Sequence, residues 1–268
     1  RMYRQAVAGG EKEELVLPEV ITSPLEIIWQ TKGSDFVVVQ NADGHIRYKF
    51  YDAEEQTFAV YPEGLRKPVF LAGDEKIAYD WVNATSSAHA LKIADPTSEN
   101  FIKILDLGPA NYQLAASPVR QEVVLFSASE PVAKLLLVNV DTGRTYEIGE
   151  RGNYEGVRFA PDGRFILVSR QESGDPRLFV YNLETSREID LQISGSLEQA
   201  VWKPDSSGIV LASETGFSKY DLAAGRWETI HHFDSKKQYT PTQIFLHPNE
   251  STIFLVDQKT CFLYRLDY

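Results

Sequence analysis

Tyrosine and basic side chains recur in the polar segments that separate the apolar runs of this sequence. Three such segments carry a tyrosine at a similar place, and basic residues stand in the same set of segments. Tyr and Arg are favoured at protein interfaces because each combines a large contact area with a polar end. The pattern therefore predicts a binding surface formed by Arg66, Lys67, Tyr112, Arg151, Tyr154, Lys236 and Tyr239.

The sequence lacks the patterns that indicate nucleophilic catalysis. A Ser, Cys or Thr nucleophile requires an activating base beside it, and many hydrolases present the nucleophile in a Gly-x-Ser-x-Gly turn. That turn does not occur, and the nearest pattern, ISGSLE around Ser196, is typical of a loop between strands. These patterns predict no catalytic residue.

Metal-binding motifs are also missing from the sequence. The adjacent His231 and His232 would point to opposite faces of a strand, so they cannot easily share one ion. No His-Glu-x-x-His pattern occurs, and the acidic turns at residues 41–45 and 159–164 lack the regular oxygen ligands of a calcium loop. The sequence predicts no bound metal and no cofactor.

The charge balance excludes several classes of partner. The chain has 27 Lys and Arg against 38 Asp and Glu, a net charge of -11, and no basic run interrupts it. Such a chain is repelled by phosphate backbones and anionic lipid. No apolar run reaches the length of about 18 residues that spans a bilayer. We expect a protein partner, no nucleic acid and no direct insertion of this segment into a membrane.

A turn built from proline, aspartate and glycine recurs along the chain. Its best copy is FAPDGRFILVS around Pro161, and three copies with the proline follow one another at intervals of 43 and 44 residues after Pro118. Pro fixes φ, Asp bonds the local backbone and Gly supplies conformational freedom, so each copy predicts a tight corner between two strands. With two weaker copies that lack the proline, the repeat corners lie near residues 31, 72, 118, 161, 204 and 248.

Each repeat contains four short runs of strand-forming residues. The corner joins the first two runs, the third ends in an acidic residue in most copies, such as Asp52 and Glu184, and a more polar fourth follows. Four strands in about 43 residues are typical of one β-propeller blade. The six copies predict an all-β, six-bladed propeller of four-stranded antiparallel blades. The predicted binding residues fall in the loops between outer and inner strands, and the opposite rim, with residues 81–89 and 170–177, is the alternative face.

The ends of the chain predict how such a ring closes. The last repeat stops after its third strand, and the unassigned apolar run at residues 14–20 supplies a strand that would complete the last blade. A closed ring leaves no free strand edge. We expect residues 1–13 to be a polar lead and residues 14–268 a single propeller domain, with seven blades as the competing count. The polar start without an initiator Met favours a piece of a longer protein.

The aromatic-x-Pro-Asp-Gly pattern followed by an apolar strand resembles the repeat of TolB-like six-bladed propellers. The best copies, FAPDGRFILVS and VWKPDSSGIVLAS, belong to a likeness over residues 24–268. The resemblance implies a toroidal scaffold that is often extracytoplasmic in bacteria and often binds another protein, or the propeller domain of a peptidase. The Gly-His and Trp-Asp dipeptides of WD-repeat propellers are absent from matching positions.

These observations favour a non-catalytic propeller scaffold that mediates protein-protein interaction. We expect it to be a module of a larger, envelope-associated bacterial protein, periplasmic or otherwise extracytoplasmic. The alternative is an enzyme, either a channel-site hydrolase or isomerase or the propeller domain of a peptidase. Three or more carboxylate, Asn or His side chains that converge on the channel would favour the enzyme, whereas apolar and small residues there would favour the scaffold.

Overall fold

The protein is described by a computed structural model of the 268-residue chain. It describes residues 2–4, 13–15, 17–19, 21, 23–128, 132–172, 174–233, 240–246, 252–257 and 263–267. These residues form β-strands and one short 3₁₀ turn, Leu197–Gln199. Among them, no helix has the length and apolar character needed to cross a membrane. The all-β prediction is confirmed.

The chain divides into two compact units. Unit 1 comprises residues 1–129 and 136–146, and unit 2 comprises residues 130–135 and 147–268. The strands of unit 1 are β1 (Met2–Arg4), β2 (Glu13–Leu15), β3 (Pro24–Trp29), β4 (Phe36–Ala42), β5 (His45–Asp52), β6 (Thr57–Val60), β7 (Leu65–Phe70), β8 (Ile77–Val82), β9 (His89–Ala94), β10 (Ile102–Leu107), β11 (Tyr112–Ala116) and β12 (Glu122–Ser127).

Two strands cross the division, and ten follow it. The crossing strands are β13 (Ala133–Asn139) and β14 (Thr145–Phe159). The strands of unit 2 are β15 (Phe165–Glu172), β16 (Asp175–Asn182), β17 (Arg187–Ser194), β18 (Ala200–Trp202), β19 (Gly208–Ser213), β20 (Gly216–Asp221), β21 (Arg226–His232), β22 (Pro241–Leu246), β23 (Thr252–Asp257) and β24 (Leu263–Asp267).

Antiparallel meanders of four strands are the recurring element. The sheets β3 to β6, β7 to β10 and β18 to β21 each contain four strands in chain order. The second strand of each meander is the most buried, as in β4, where the β-branched Val37, Val38 and Val39 pack on both faces. The fourth strand is much more exposed, as in β6 and β10, in which no residue is buried. This gradient confirms the predicted four-stranded repeat.

One sheet departs from this pattern. Strand β14 has 15 residues and belongs to a seven-stranded sheet in the order β11 to β17, in which it is the fourth strand from either edge. The repeat pattern predicts a loop between an outer and an inner strand here, with Arg151 and Tyr154 in it. The chain instead continues as strand, with a register shift between Tyr154 and Gly156. A bulge accommodates the bend that was attributed to a loop.

The corners of neighbouring repeats are joined by hydrogen bonds. In unit 1 the carboxylate of Asp74 accepts the backbone N–H groups of Thr31 and Lys32 at 2.9 and 2.7 Å. In unit 2 the backbone N–H of Asp162 donates to the hydroxyl of Ser206 at 3.0 Å. These partners are 42 to 44 residues apart, which is the length of the repeat. The corner residue at position 248 lies outside the described residues.

The first twenty residues differ in part from the predicted closing strand. Of the described residues within 14–20, Glu14 and Leu15 belong to a strand, β2, which pairs with β1 through Tyr3 opposite Glu14. Pro18 and Glu19 form a bend, which is consistent with the missing N–H of proline. Among the described residues, the sheet of β22, β23 and β24 has three strands. Leu17 packs with Ile21 on the cluster around Phe36 in unit 1.

Candidate functional site

A cavity of about 710 Å3 lies within unit 1. Residues from β3, β4, β5, β7, β8, β9 and β11 line it, together with the segment before β11. Its polar lining consists of Glu26, Tyr48, Arg66, Lys67, Asp80, His89, Asn111 and Gln113. Aliphatic side chains such as Leu25, Ile28 and Val39 cover the rest. A concave apolar surface with a few convergent polar groups is the usual form of a ligand site.

Strand β7 brings two basic residues to this cavity through a β-bulge. Arg66 pairs with Asp80 of β8, and the next pair is Val69 with Ala78. Two residues of β7 therefore lie between these pairs but only one residue of β8, so β7 contains one extra residue. Lys67, inside the bulge, has a φ of 50°, in the left-handed region. Because the bulge adds one residue without changing the pairing on either side, Arg66 and Lys67 both line the cavity.

Asp80 and His89 form a hydrogen-bonded pair in the wall of the cavity. Nδ1 of His89 lies 3.0 and 2.8 Å from the two carboxylate oxygens of Asp80, which is 3% exposed. An ionised carboxylate can only accept, so Nδ1 carries the proton and Nε2 is the acceptor of the neutral ring. Burial raises the pKa of the Asp80 carboxyl, while the hydrogen bond and charge of His89 oppose that rise.

Tyr48 places a hydroxyl beside these charged groups. The ring is buried in the core formed by β4, β5, β7 and β8. Burial raises the pKa of Tyr48, and a hydrogen bond with the Lys67 backbone and the charge of Arg66 oppose the rise. The charges of Glu26 and Asp80 also act on this hydroxyl. Tyr48 therefore stays protonated at neutral pH and can donate a hydrogen bond.

The two basic side chains at the cavity are exposed and lack an ion-pair partner. Within the described part of the chain, no salt bridge joins Arg66 or Lys67 to a carboxylate. Beside them, Leu25 and Ile46 expose 59% and 41% of their surface. The cavity thus combines two cations that form no salt bridge among the described residues with solvent-exposed apolar surface, and both properties favour a bound partner.

The predicted binding residues of unit 1 come together here. Arg66 and Lys67 line the cavity, and the ring of Tyr112 lies 5.8 Å from that of His89. The repeat pattern predicts Arg66 and Lys67 in a loop, whereas they belong to β7. The presence of Pro68 in this strand is a signal for the bulge, since proline within a sheet is confined to edges, strand starts and bulges.

The predicted binding residues of unit 2 have different surroundings. Arg151 is exposed, but Tyr154 is only 3% exposed, and its hydroxyl donates to the backbone oxygen of Glu150. Tyr154 also bonds the side chain of Arg170, a residue that is 5% exposed. The ring of Tyr154 is part of the protein interior, so the structure does not present it as a surface contact. Lys236 and Tyr239 lie outside the described residues.

The sequence patterns do not predict Tyr48, Asp80 or His89 as binding residues of this cavity. They place His89 on the opposite rim, at the end of residues 81–89. Asp80 has a recognisable signal, because it is the single charge in the buried strand IAYDWV. A carboxylate at such a position needs a partner, and the next strand begins with His89. Among the described residues, no group of three or more His, Cys, Asp and Glu side chains is arranged to hold a metal ion.

Comparisons with known proteins define the fold further. No protein-family model matches the chain. It is similar to the structure of an oligogalacturonate lyase in complex with manganese, with a TM-score of 0.62 and 14% identity over 89% of this chain and 75% of that chain. It is also similar to TolB from Acinetobacter baumannii, with a TM-score of 0.50 and 18% identity over 85% of this chain and 67% of that chain.

The chain has a TolB-like β-propeller fold. A nidogen/laminin complex contains a further similar chain, with a TM-score of 0.52 and 10% identity over 90% of this chain and 88% of that chain. The propeller resemblance drawn from the Pro-Asp-Gly repeats is confirmed. Because these identities are low, the likeness establishes the fold alone. The function has to be inferred from the residues of this chain.

Proposed function

We propose that this propeller is a non-catalytic protein-interaction module and that its unit 1 cavity receives a segment of a partner protein. The observation that carries the proposal is the pair of exposed cations, Arg66 and Lys67, without a salt bridge among the described residues. An acidic side chain of a partner segment would form with these cations a salt bridge that no described residue of this chain forms. Charge-assisted hydrogen bonds to arginine are among the stronger polar contacts in proteins.

The local charge contrasts with that of the whole protein. A net charge of -11 repels acidic segments in general. The basic residues Arg66 and Lys67 on an otherwise acidic protein favour one orientation in which an acidic partner segment approaches. Their charge therefore contributes mainly to the specificity and the rate of association. The exposed Leu25 and Ile46 add an apolar contact, which favours a segment that carries both acidic and apolar side chains.

The structural neighbours support a binding role by analogy. TolB and a chain of the nidogen/laminin complex share the fold, and the latter is a complex between proteins. From the repeats, we also propose six blades, with residues 14–20 contributing to closure. The predicted surface that joins Arg66, Lys67 and Tyr112 to Arg151, Tyr154, Lys236 and Tyr239 stays a prediction. So does the location in the bacterial envelope.

A selection from random displayed peptides tests the proposed function. We expect the intact propeller to enrich sequences in which Asp or Glu stands beside Leu, Ile or Phe. The double variant Arg66→Glu, Lys67→Glu should weaken binding of the selected peptides at least about tenfold, because it inverts the charge at the cavity. The matched control, Arg144→Glu, changes an exposed basic residue at a turn outside the cavity. Equal loss in both variants, or no acidic enrichment, contradicts the proposal.

An acid-base enzyme is the second candidate, and the Asp80–His89 pair is the observation that favours it. A histidine oriented by a buried carboxylate is a common general base. One neighbour is an oligogalacturonate lyase in complex with manganese. Because the described residues contain no group suited to a metal ion, we derive no metal-dependent step. Incubation with oligogalacturonate tests this candidate: turnover that His89→Gln abolishes would favour the enzyme over the binding module.

A further inference from the structure

We propose that the polar part of the unit 1 cavity is a carboxylate-binding site in which Arg66, Tyr48 and protonated His89 hold one acidic side chain of the partner segment. The inference rests on the proposed function, and it names the chemical group that enters the cavity. Three donors from three strands, β5, β7 and β9, face the same cavity. Among the described residues, no group accepts a hydrogen bond from the side chains of Arg66 or Tyr48. His89 uses only its Nδ1, which bonds Asp80.

The arrangement of the strands brings the three donors close together. Arg66 lies directly opposite Asp80 in the β7–β8 register, and Asp80 bonds His89. Side chains directly opposite each other on paired strands have Cβ atoms about 5 Å apart. The charge of Arg66 lowers the pKa of Tyr48 and the charge of Asp80 raises it, and the Tyr48 hydroxyl forms a hydrogen bond with the backbone of Lys67. Arg66, Tyr48 and His89 thus line the same cavity, and Asp80 lies in its wall, bonded to His89.

Asp80 determines how His89 can act. Its two oxygens occupy Nδ1, so Nε2 is the only ring atom left for a ligand. Nε2 of a neutral ring repels a carboxylate because both are acceptors, whereas an imidazolium donates a hydrogen bond and adds a positive charge. Binding of an acidic group should therefore draw a proton onto His89, and Asp80 then serves as the counter-ion. Asp80 is a positioning residue in this site.

The other charged groups around His89 set the balance of the site. Arg66 and Lys67 face it from β7, Glu26 from β3, Asp80 from β8 and the neutral phenols of Tyr48 and Tyr112 from β5 and β11. With His89 neutral, the two cations balance the two carboxylates. A protonated His89 leaves one net positive charge. That balance suits a monoanion such as a carboxylate and disfavours the dianion of a phosphate group.

The direct test uses N-acetylglutamate amide as a minimal acidic side chain and N-acetylglutamine amide as its neutral match. Binding is followed by NMR through the ring proton signals of His89, at a pH of about 5.5 and of about 8, on either side of the range in which imidazoles titrate. We expect the acidic probe to bind about tenfold more tightly at the lower pH and to shift the His89 signals. We expect the neutral probe to bind at neither pH.

Substitutions separate the roles of the donors. His89→Gln should weaken binding of the acidic probe at low pH and remove the pH dependence of binding. His45 is exposed and lies outside the cavity, so His45→Gln should change neither property. Tyr48→Phe, which preserves the buried ring, should weaken binding about three- to tenfold and keep the pH dependence. Asp80→Asn should reduce the pH dependence without lowering the melting temperature at neutral pH. The raised pKa of Asp80 means that its ionised form costs stability, a cost absent below a pH of about 4.

Several outcomes would overturn this inference. They are equal binding of the acidic and neutral probes, tighter binding of inorganic phosphate or free acetate than of the acidic probe, or an unchanged pH dependence in both His89→Gln and Asp80→Asn. The proposed function fails separately. The selected peptides could bind the double variant Arg66→Glu, Lys67→Glu with unchanged affinity while the acidic probe binds the native protein with the expected pH dependence. That result would support the carboxylate site and contradict the partner-binding proposal. If peptides bind through the basic residues but insensitively to Tyr48→Phe and His89→Gln, the reverse holds.

Discussion

Two arginines of this protein illustrate how similar residues serve different purposes. Arg66 is exposed and has no salt bridge among the described residues. Arg170 is 5% exposed and lies 2.8 Å from Glu172 and 3.1 Å from Glu188, with its guanidinium 4.0 Å from the centre of the Phe179 ring. Burial alone would lower the pKa of Arg170, but the hydrogen bonds and charges of its carboxylate neighbours outweigh burial and raise it. Arg170 is therefore a structural ion of unit 2.

Replacement of Arg170 by Met should destabilise the protein strongly. The substitution leaves Glu172 and Glu188 near each other without a cation, and breaking a pair of this kind costs about 3 kcal/mol when it is largely buried. Lys103→Met is the matched control, because the Lys103–Asp106 pair is exposed and should contribute less than about 1 kcal/mol. Urea denaturation followed by tryptophan fluorescence measures both. A similar small loss for the two variants would show that Arg170 has no structural role.

At the scale of elements, the repeat corners hold adjacent sheets together within each unit. Asp74 is 7% exposed and accepts two backbone N–H groups from the corner one repeat earlier. The backbone at Asp74 is left-handed, with a φ of 63°, a conformation that Asp and Asn tolerate better than most residues. The corner is thus a local turn and also an attachment point between sheets.

Asp74→Asn should weaken this attachment without straining the turn. The amide nitrogen cannot accept, so one of the two hydrogen bonds to a charged acceptor is lost, at a cost of about 1 to 2 kcal/mol. Asp43→Asn is the control, because Asp43 also has a left-handed φ, of 53°, but is exposed in a hairpin turn. Thermal unfolding compares the two. Equal stability of both variants would mean that the corner bonds contribute nothing.

The elements also show what the sequence could predict. Proline, aspartate and glycine at fixed spacing specify corners through local backbone chemistry, so their positions were predictable and their hydrogen bonds follow the same spacing. The long β14 was not predictable, since a polar segment with three glycines satisfies the criteria for a loop as well as for a bulged strand. The bulge in β7 depends on pairing with β8, which is a tertiary property, and only Pro68 indicates it locally.

The candidate site was harder to predict than the fold. Arg66, Lys67 and Tyr112 were selected for their residue types, and unit 1 does bring them near one cavity. Tyr48 and Asp80 lie in mainly apolar strand patterns, and the sequence predicts His89 in a polar loop on the opposite rim. Which of their side chains share a face is decided by register, and a single-residue difference in register changes that face.

At the scale of the whole molecule, the six-blade proposal assigns the first twenty residues a role in closing the ring. Leu17 and Ile21 pack on the cluster of Phe36, Val38 and Tyr51, and Glu19 forms an ion pair with Lys49. These contacts stabilise the first meander of unit 1. Ring closure predicts an additional contribution, because a strand that completes the last blade would link the two ends of the chain.

Deletion of residues 1–20 should therefore lower the melting temperature more than the loss of these contacts alone. The control is the double variant Leu17→Ala, Glu19→Gln, which removes the described packing and ion pair but keeps the chain. We expect the deletion to reduce the melting temperature by at least about 5 °C beyond the control, equivalent to one to two kcal/mol in a chain of this size. Calorimetry measures both. A deletion no worse than the control would exclude the closing strand.

The bulge in β7 has a consequence for how this protein can change over evolutionary time. Loss of the single codon for Lys67 would leave Arg66 opposite Asp80 and Val69 opposite Ala78, because the bulge contains one residue more than its partner strand. The ladder would become regular, and the core on both sides would keep its register. Lys67 is thus an inserted residue that a related protein could lack while keeping the same sheet. A single deletion or insertion at this position would remove or add a cation of the cavity and leave the fold unchanged.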